Sequence, residues 1–137
     1  MSFKFGQNSR EKLESCHPKL QRVMNLAISR SYVDFGISEG YRTLARQYEL
    51  FKKGLSRIDG INRVGKHNHN PSLAVDIYAW VDGKAMWDDA HLGYLAGVIL
   101  QCGKELGIKL RWGGDWDRDG IIAIDHKLKD LPHYELI

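Results

Sequence analysis

Two cysteines, three prolines and no sustained apolar run restrict what this 137-residue chain can be. Cys16 and Cys102 lie far apart and neither belongs to a Cys-x-x-Cys pair. That excludes a thiolate zinc knuckle and a disulfide-framework mini-domain, and leaves the two thiols as small semi-buried hydrophobes. No window approaches the roughly 20 consecutive apolar residues that cross a bilayer, and the opening Met-Ser-Phe-Lys-Phe-Gly lacks the apolar core of a secretory signal. The expectation is a cytoplasmic origin without stable membrane insertion. A strong field of one sign is also missing, since 20 Lys and Arg face 17 Asp and Glu. The resulting net charge of +3 suits contact with an anionic polymer or surface without naming it: nucleic acid, anionic lipid and the acidic bacterial wall all stay open. Low-complexity tracts and internal repeats are absent as well, and the length closes one hydrophobic core, so residues 1–137 read as a single domain.

What is present alternates between helical and extended periodicity. Pro18 sits where a first-turn proline is tolerated, and Leu20, Val23, Met24 and Ala27 follow at helical spacing, which predicts a helix over 17–29. A shorter helical turn capped by Ser9 is expected before it. Val33, Phe35 and Ile37 read as a strand; Thr43 then caps a helix bearing Leu44, Tyr48 and Phe51 that Gly54 ends. Residues 55–72 are rich in Gly, Asn and Pro and predict a long surface loop, a kind of segment that often carries function. Leu73, Val75 and Ile77 alternate with Ala74, Asp76 and Tyr78 before an Asp82-Gly83 hairpin turn, which puts Asp76 on one face of a strand. The longest helix runs from Asp88 or Asp89 to Gly107, followed by strands at 108–112 and 133–137. Helices and short strands without a strict βαβ repeat favour an α+β domain whose helices cover one face of a mainly antiparallel sheet.

The chemistry-bearing residues cluster in two places. His67 and His69 crowd the loop just before Asp76, while Asp130 precedes His133 by three positions near the C-terminus. A catalytic zinc takes three His or carboxylate ligands and leaves a position for water, which is the inventory available here. A carboxylate near that water must accept its proton during attack on a carbonyl, a role that suits Asp130. Each fragment alone is more often an exposed polar residue, and only the combination points to a site.

The stretch His69-x-x-Ser72-x-Ala74-x-Asp76 together with Asp130-x-x-His133-x-Glu135 resembles the two-part signature of the lysostaphin, D-Ala-D-Ala and hedgehog type metallopeptidases. Within that group the chain looks like the L-alanyl-D-glutamate peptidase endolysins of tailed phages, over nearly its whole length. Met1-Ser2-Phe3-Lys4-Phe5-Gly6, Gly40-Tyr41-Arg42-Thr43, Gly103 to Arg111 and Asp115-Trp116 carry the likeness. The resemblance implies a hedgehog/DD-peptidase-like fold, zinc held by His69, Asp76 and His133, Asp130 as general base, and Arg42 as a cation near the scissile carbonyl or a substrate carboxylate. It further implies a monomer that acts on peptidoglycan and not on nucleic acid, and that reaches the wall from the host cytoplasm through the inner membrane to cause lysis. Two positions depart from the pattern: His67 stands where serine is usual and Ser72 where glycine is usual. His67 is therefore a competing ligand or a substrate contact, with His69 preferred for its spacing to Asp76. A D-alanyl-D-alanine carboxypeptidase of the same fold and a non-catalytic metal-binding module remain as alternatives.

Asp115-Trp116-Asp117-Arg118-Asp119-Gly120 has carboxylates at alternate positions and glycine at the sixth, like the first half of a calcium-binding EF-hand loop. The twelfth position is His126, with Asp125 beside it, so a calcium site at Asp115, Asp117 and Asp119 and a plain acidic turn are both open. Trp80, Trp87, Trp112 and Trp116 are read as core and hairpin-packing residues in preference to a sugar-binding platform, with Trp116 as the first candidate for an exception.

Overall fold

In a computed structural model, which describes residues 2–122 and 129–137, the chain forms four helices and a five-stranded antiparallel sheet among the described residues. In chain order these are α1 (Gln7–Glu14), α2 (Pro18–Arg30), β1 (Asp34–Glu39), α3 (Leu44–Lys52), β2 (Ala74–Val81), β3 (Lys84–Met86), α4 (Asp89–Leu106), β4 (Leu110–Gly113) and β5 (Asp130–Leu136), with a single 3₁₀ turn at Lys66–Asn68. The sheet order is β1-β2-β5-β4, and β3 adds to β2 as a hairpin.

Strand β2 shows why one face of this sheet is a core and the other a working surface. Val75, Ile77 and Ala79 are fully buried, whereas the alternating Asp76 and Tyr78 are half-buried and Trp80 is exposed. The period of two sends the first set against the helices and the second toward solvent. Helix α2 presents Leu20, Val23, Met24, Ala27 and Ile28 to that core, and α4 presents Leu92, Leu95, Ala96 and Ile99. Each fully buried aliphatic side chain contributes about 1.5–3 kcal/mol. The caps follow the expected chemistry. His17 accepts from the Lys19 amide ahead of Pro18, Asp88 accepts from the His91 amide, and α4 ends at Gly107 in the left-handed region with φ 70°.

Two local features differ from expectation, the place of Ser9 and the course of the 55–72 loop. Ser9 lies inside α1, which Gly6 precedes, and its buried hydroxyl accepts from the Ile37 amide. It ties α1 to the sheet and caps nothing. Helix α3 forms where Thr43 starts it, yet Leu44, Tyr48 and Phe51 remain exposed and its buried residue is the polar Gln47. The loop at 55–72 is not wholly on the surface either, because it delivers buried His67 and Ser72 to the sheet.

Candidate metal centre

Register across three strands decides which side chains meet. Asp76 pairs with His133 of β5 on one side and with Glu39 of β1 on the other, so the three share the solvated face of the sheet. His67 reaches them from the 3₁₀ turn: its Nε2 lies 3.2 Å from Asp76 Oδ1, and His133 Nδ1 lies 3.1 Å from the same oxygen. The three ligand atoms all fall within 4.8 Å of one another.

The outer nitrogens fix the tautomers. His67 Nδ1 sits 2.8 Å from the Gly40 carbonyl oxygen, and His133 Nε2 sits 2.8 Å from Glu135 Oε1. Those oxygens only accept, so both outer nitrogens donate. In neutral rings the inner nitrogens then turn lone pairs toward a carboxylate oxygen, an arrangement that a cation or a proton must bridge. Burial disfavours charge on His133, but its hydrogen bonds to Asp76 and Glu135 outweigh that and raise its pKa to about 9. Burial would raise Asp76, yet its bonds to His133 and His67 hold it far below the usual carboxylate range. Two imidazoles oriented from behind and one carboxylate, converging on one point, fit a three-ligand zinc site by number and type of donor.

His69 is not part of this convergence. The turn is pinned from both sides, with the Arg42 amide donating to the His67 carbonyl at 2.8 Å and Asn68 Nδ2 donating to the Arg42 carbonyl at 3.0 Å. The chain then makes an excursion that the Leu73 amide closes on the Lys66 carbonyl, leaving His69, Asn70 and Pro71 at its exposed tip. The histidine brought to Asp76 and His133 is therefore His67, the competing candidate, and not His69, which the resemblance put in the ligand set. Ser72 is completely buried, and its hydroxyl donates to the Ala74 carbonyl at 2.6 Å.

The family whose model matches residues 1–137 is described as phage L-alanyl-D-glutamate peptidase. The chain belongs to that family. It is 38% identical over 140 residues to the L-alanyl-D-glutamate peptidase of Escherichia phage T5, covering 100% of both chains. It is 32% identical over 133 residues to the peptidoglycan L-alanyl-D-glutamate endopeptidase CwlK of Bacillus subtilis, covering 88% of this chain and 73% of that protein. Its fold matches the crystal structure of the Serratia marcescens L-Ala D-Glu endopeptidase ChiX with a TM-score of 0.81 at 33% identity, over 99% of this chain and 91% of ChiX.

In this member of the phage L-alanyl-D-glutamate peptidase family, Arg42 is held before any ligand arrives. Its Nε and one terminal nitrogen grip the two Glu39 oxygens at 2.8 and 2.7 Å, and the other donates to Gln47 Oε1 at 3.0 Å. The same guanidinium stands 3.7 Å from Asp76 Oδ2, so it braces the carboxylate oxygen that faces away from the histidines. Gln47 in turn donates to Ser56 Oγ and the Ile58 carbonyl, which fastens the long loop to α3. Glu39, Gln47, Glu135 and the Gly40 carbonyl are the parts that sequence reasoning did not assign. Glu135 stood inside the quoted motif, but nothing in one sequence marks a buried amide such as Gln47.

Asp130 opens β5 opposite Gly113, where a side chain would not fit: a Cβ would lie 2.0 Å from the Asp130 carbonyl oxygen. The Asp130 carboxyl keeps solvent access but is raised above the ordinary aspartate value, first by desolvation and then by the Asp76 charge. It lies within electrostatic reach of His67, His133 and Arg42. Trp116 closes on the centre from the acidic loop, its ring 5.4 Å from that of His133. In that loop, ligand atoms of Asp115, Asp117 and Asp119 approach within 4.8 Å of one another. Asp125 and His126, at the far end of the EF-hand-like pattern, lie outside the described residues.

Proposed function

We propose that this family member is a zinc-dependent endopeptidase that hydrolyses the L-alanyl-D-glutamate bond of peptidoglycan stem peptides and so lyses the host of a phage. The observation that supports it best is the convergence of His67 Nε2 and His133 Nδ1 on Asp76 Oδ1, with both outer nitrogens engaged. The names of the relatives supply the substrate class. Zinc at His67, Asp76 and His133 would supply Lewis acidity and lower the pKa of water to about 7. Gly40 and Glu135 keep both rings in the tautomer that offers the inner nitrogen, and Arg42 fixes Asp76 in one orientation. Asp130 takes the proton of the attacking water and returns it to the leaving amine; its raised pKa makes it a better acceptor than an ordinary aspartate. His69, exposed at the loop tip, is left for contact with substrate or solvent.

No helix among the described residues is long and apolar enough to cross a membrane. By analogy with the phage family, passage to the wall is assigned to a lesion in the inner membrane made by another phage protein. Digestion of purified peptidoglycan followed by mass spectrometry of the new termini tests the reading. Free N-terminal D-glutamate with residual L-alanine on the glycan is expected. Release of terminal D-alanine would instead indicate a D-alanyl-D-alanine carboxypeptidase, and an untouched wall would indicate a metal-binding module.

A further inference from the structure

The solvated face of β2 does not end at the metal centre. Beyond Asp76 the same face carries Tyr78 and then Trp80, and Trp87 joins them from just after β3. The Tyr78 ring centroid lies 6.5 Å from that of Trp80 and 6.0 Å from that of Trp87. Trp80 is 45% exposed and Trp87 55% exposed, so neither belongs to the core, and their contacts with Tyr78 across the hairpin leave much of both indoles open. Tyr78 rests on bare backbone: at its register partner Gly36, a Cβ would come within 2.3 Å of the Tyr78 hydroxyl. Any side chain there would lift the ring. Beside this aromatic strip lies a cleft of about 290 Å³ whose walls include Lys4, Gln7, Asn8, Asp34, Tyr78 and Trp80. Asp34 pairs with Trp80 across β1 and β2. Aromatic faces beside a carboxylate, two amides and an ammonium are a mixed lining that an apolar partner would leave unsatisfied.

We propose that this strip and cleft form a saccharide subsite, which holds an N-acetylhexosamine of the glycan strand while the attached peptide lies in the metal centre. A pyranose has one face made of C–H bonds, which packs on tryptophan and tyrosine, and a rim of hydroxyl and acetamido groups, which bond to carboxylates and amides. The inference rests on the peptidase reading, because the L-alanyl-D-glutamate bond is separated from the sugar by only a lactyl group and one alanine. Those two units span about 7 Å when extended. Trp80 is four residues along β2 from Asp76, about 13 Å. The attached sugar and its neighbour therefore fall over Tyr78 and Trp80, and an enzyme that cuts this bond in intact wall must place the glycan somewhere at that distance. Continuity along one strand face makes the aromatic strip that place.

The test compares two substrates of the full-length zinc-loaded enzyme: a disaccharide-linked stem peptide and the same peptide without sugar. The ratio of their kcat/KM values should favour the glycan-linked substrate and fall about tenfold in Trp80→Ala and in Asp34→Asn. Two variants on different strands guard against one that misfolds. An unchanged ratio in both, or equal losses on both substrates, would overturn the subsite. A second measurement needs no turnover. Titration with N,N′-diacetylchitobiose should shift the indole N–H resonances of Trp80 and Trp87 and leave that of Trp112 in place, since Trp112 is buried and donates to the Leu131 carbonyl. Absence of shifts at millimolar saccharide would count against the proposal. Failure of the wild type to cut either substrate would overturn the peptidase reading and leave the saccharide titration to decide the subsite alone.

Discussion

At the scale of single residues, two histidines separated by one asparagine take opposite places. His67 is buried with both ring nitrogens engaged, whereas His69 faces solvent at the tip of the excursion. His67→Ala should lose stoichiometric zinc and activity together, and His69→Ala should keep both, as measured by elemental analysis and lytic rate. The reverse result would return the ligand role to His69. Asp130 belongs to the same scale. Asp130→Asn should retain zinc while turnover falls roughly a hundredfold, the loss expected of a missing general base. The sign of its pH effect follows from its raised pKa: as pH falls, Asp130 takes up a proton earlier than an ordinary aspartate and ceases to be a base. The acid limb of kcat/KM should accordingly lie above the ordinary value of about 3.9 and vanish in the Asn variant. A limb retained unchanged by the variant would assign it to another group.

At the scale of elements, β4 and β5 set where Asp130 stands. Gly113→Ala would force its Cβ against the Asp130 carbonyl at 2.0 Å, a contact with backbone that cannot swing aside. Overpacking of this kind costs about 1–3 kcal/mol, and here it also moves the proposed base, Asp130. The variant should therefore lose more activity than its stability at assay temperature explains. Gly93→Ala is the natural control, since its added methyl meets nothing within 4 Å on the exposed side of α4. It should raise stability by about 0.5–1 kcal/mol in a denaturant titration and leave turnover alone. Loss of stability there would contradict the helix geometry.

At the scale of the whole molecule, a cation at the candidate centre would join segments distant in sequence. Zinc at His67, Asp76 and His133 would link the long loop, β2 and β5. A ligand that binds only the native state at a hundred times its Kd stabilises by about 2.7 kcal/mol, so chelation should lower Tm by on the order of 10 °C in calorimetry. An unchanged Tm would argue against a tightly held metal. Calcium at Asp115, Asp117 and Asp119 would act on a different link, the connection from β4 to Asp130 and His133. Gathering three like charges around a divalent ion should order that connection and raise the lytic rate of zinc-loaded enzyme, with both heat of binding and rate response lost in Asp117→Ala. Binding with no change in rate would leave this loop an acidic turn.

The sequence by itself determined the elements whose signals are local. Period and caps marked α2 and α4, alternation marked β2, and the Asp82-Gly83 turn marked its hairpin, because each depends on neighbours a few residues away. The same local reading singled out Asp76, Asp130 and His133, of which the fold brings Asp76 and His133 into the candidate metal group, and the motif resemblance brought the family within view. It preferred His69 for its spacing to Asp76, whereas the fold brings His67 to Asp76 and His133, since sequence spacing does not show which of two residues a loop turns inward; the backbone bonds to Arg42 and Lys66 decide that. Nor could it show that α3 leaves its apolar side open and buries Gln47, or that Trp80 and Trp87 stand out from the sheet. Burial on a sheet face depends on what packs across it, and here the helices cover the side of Val75, Ile77 and Ala79. The side that carries Asp76, Tyr78 and Trp80 was left open by tertiary packing, not by any pattern along the chain.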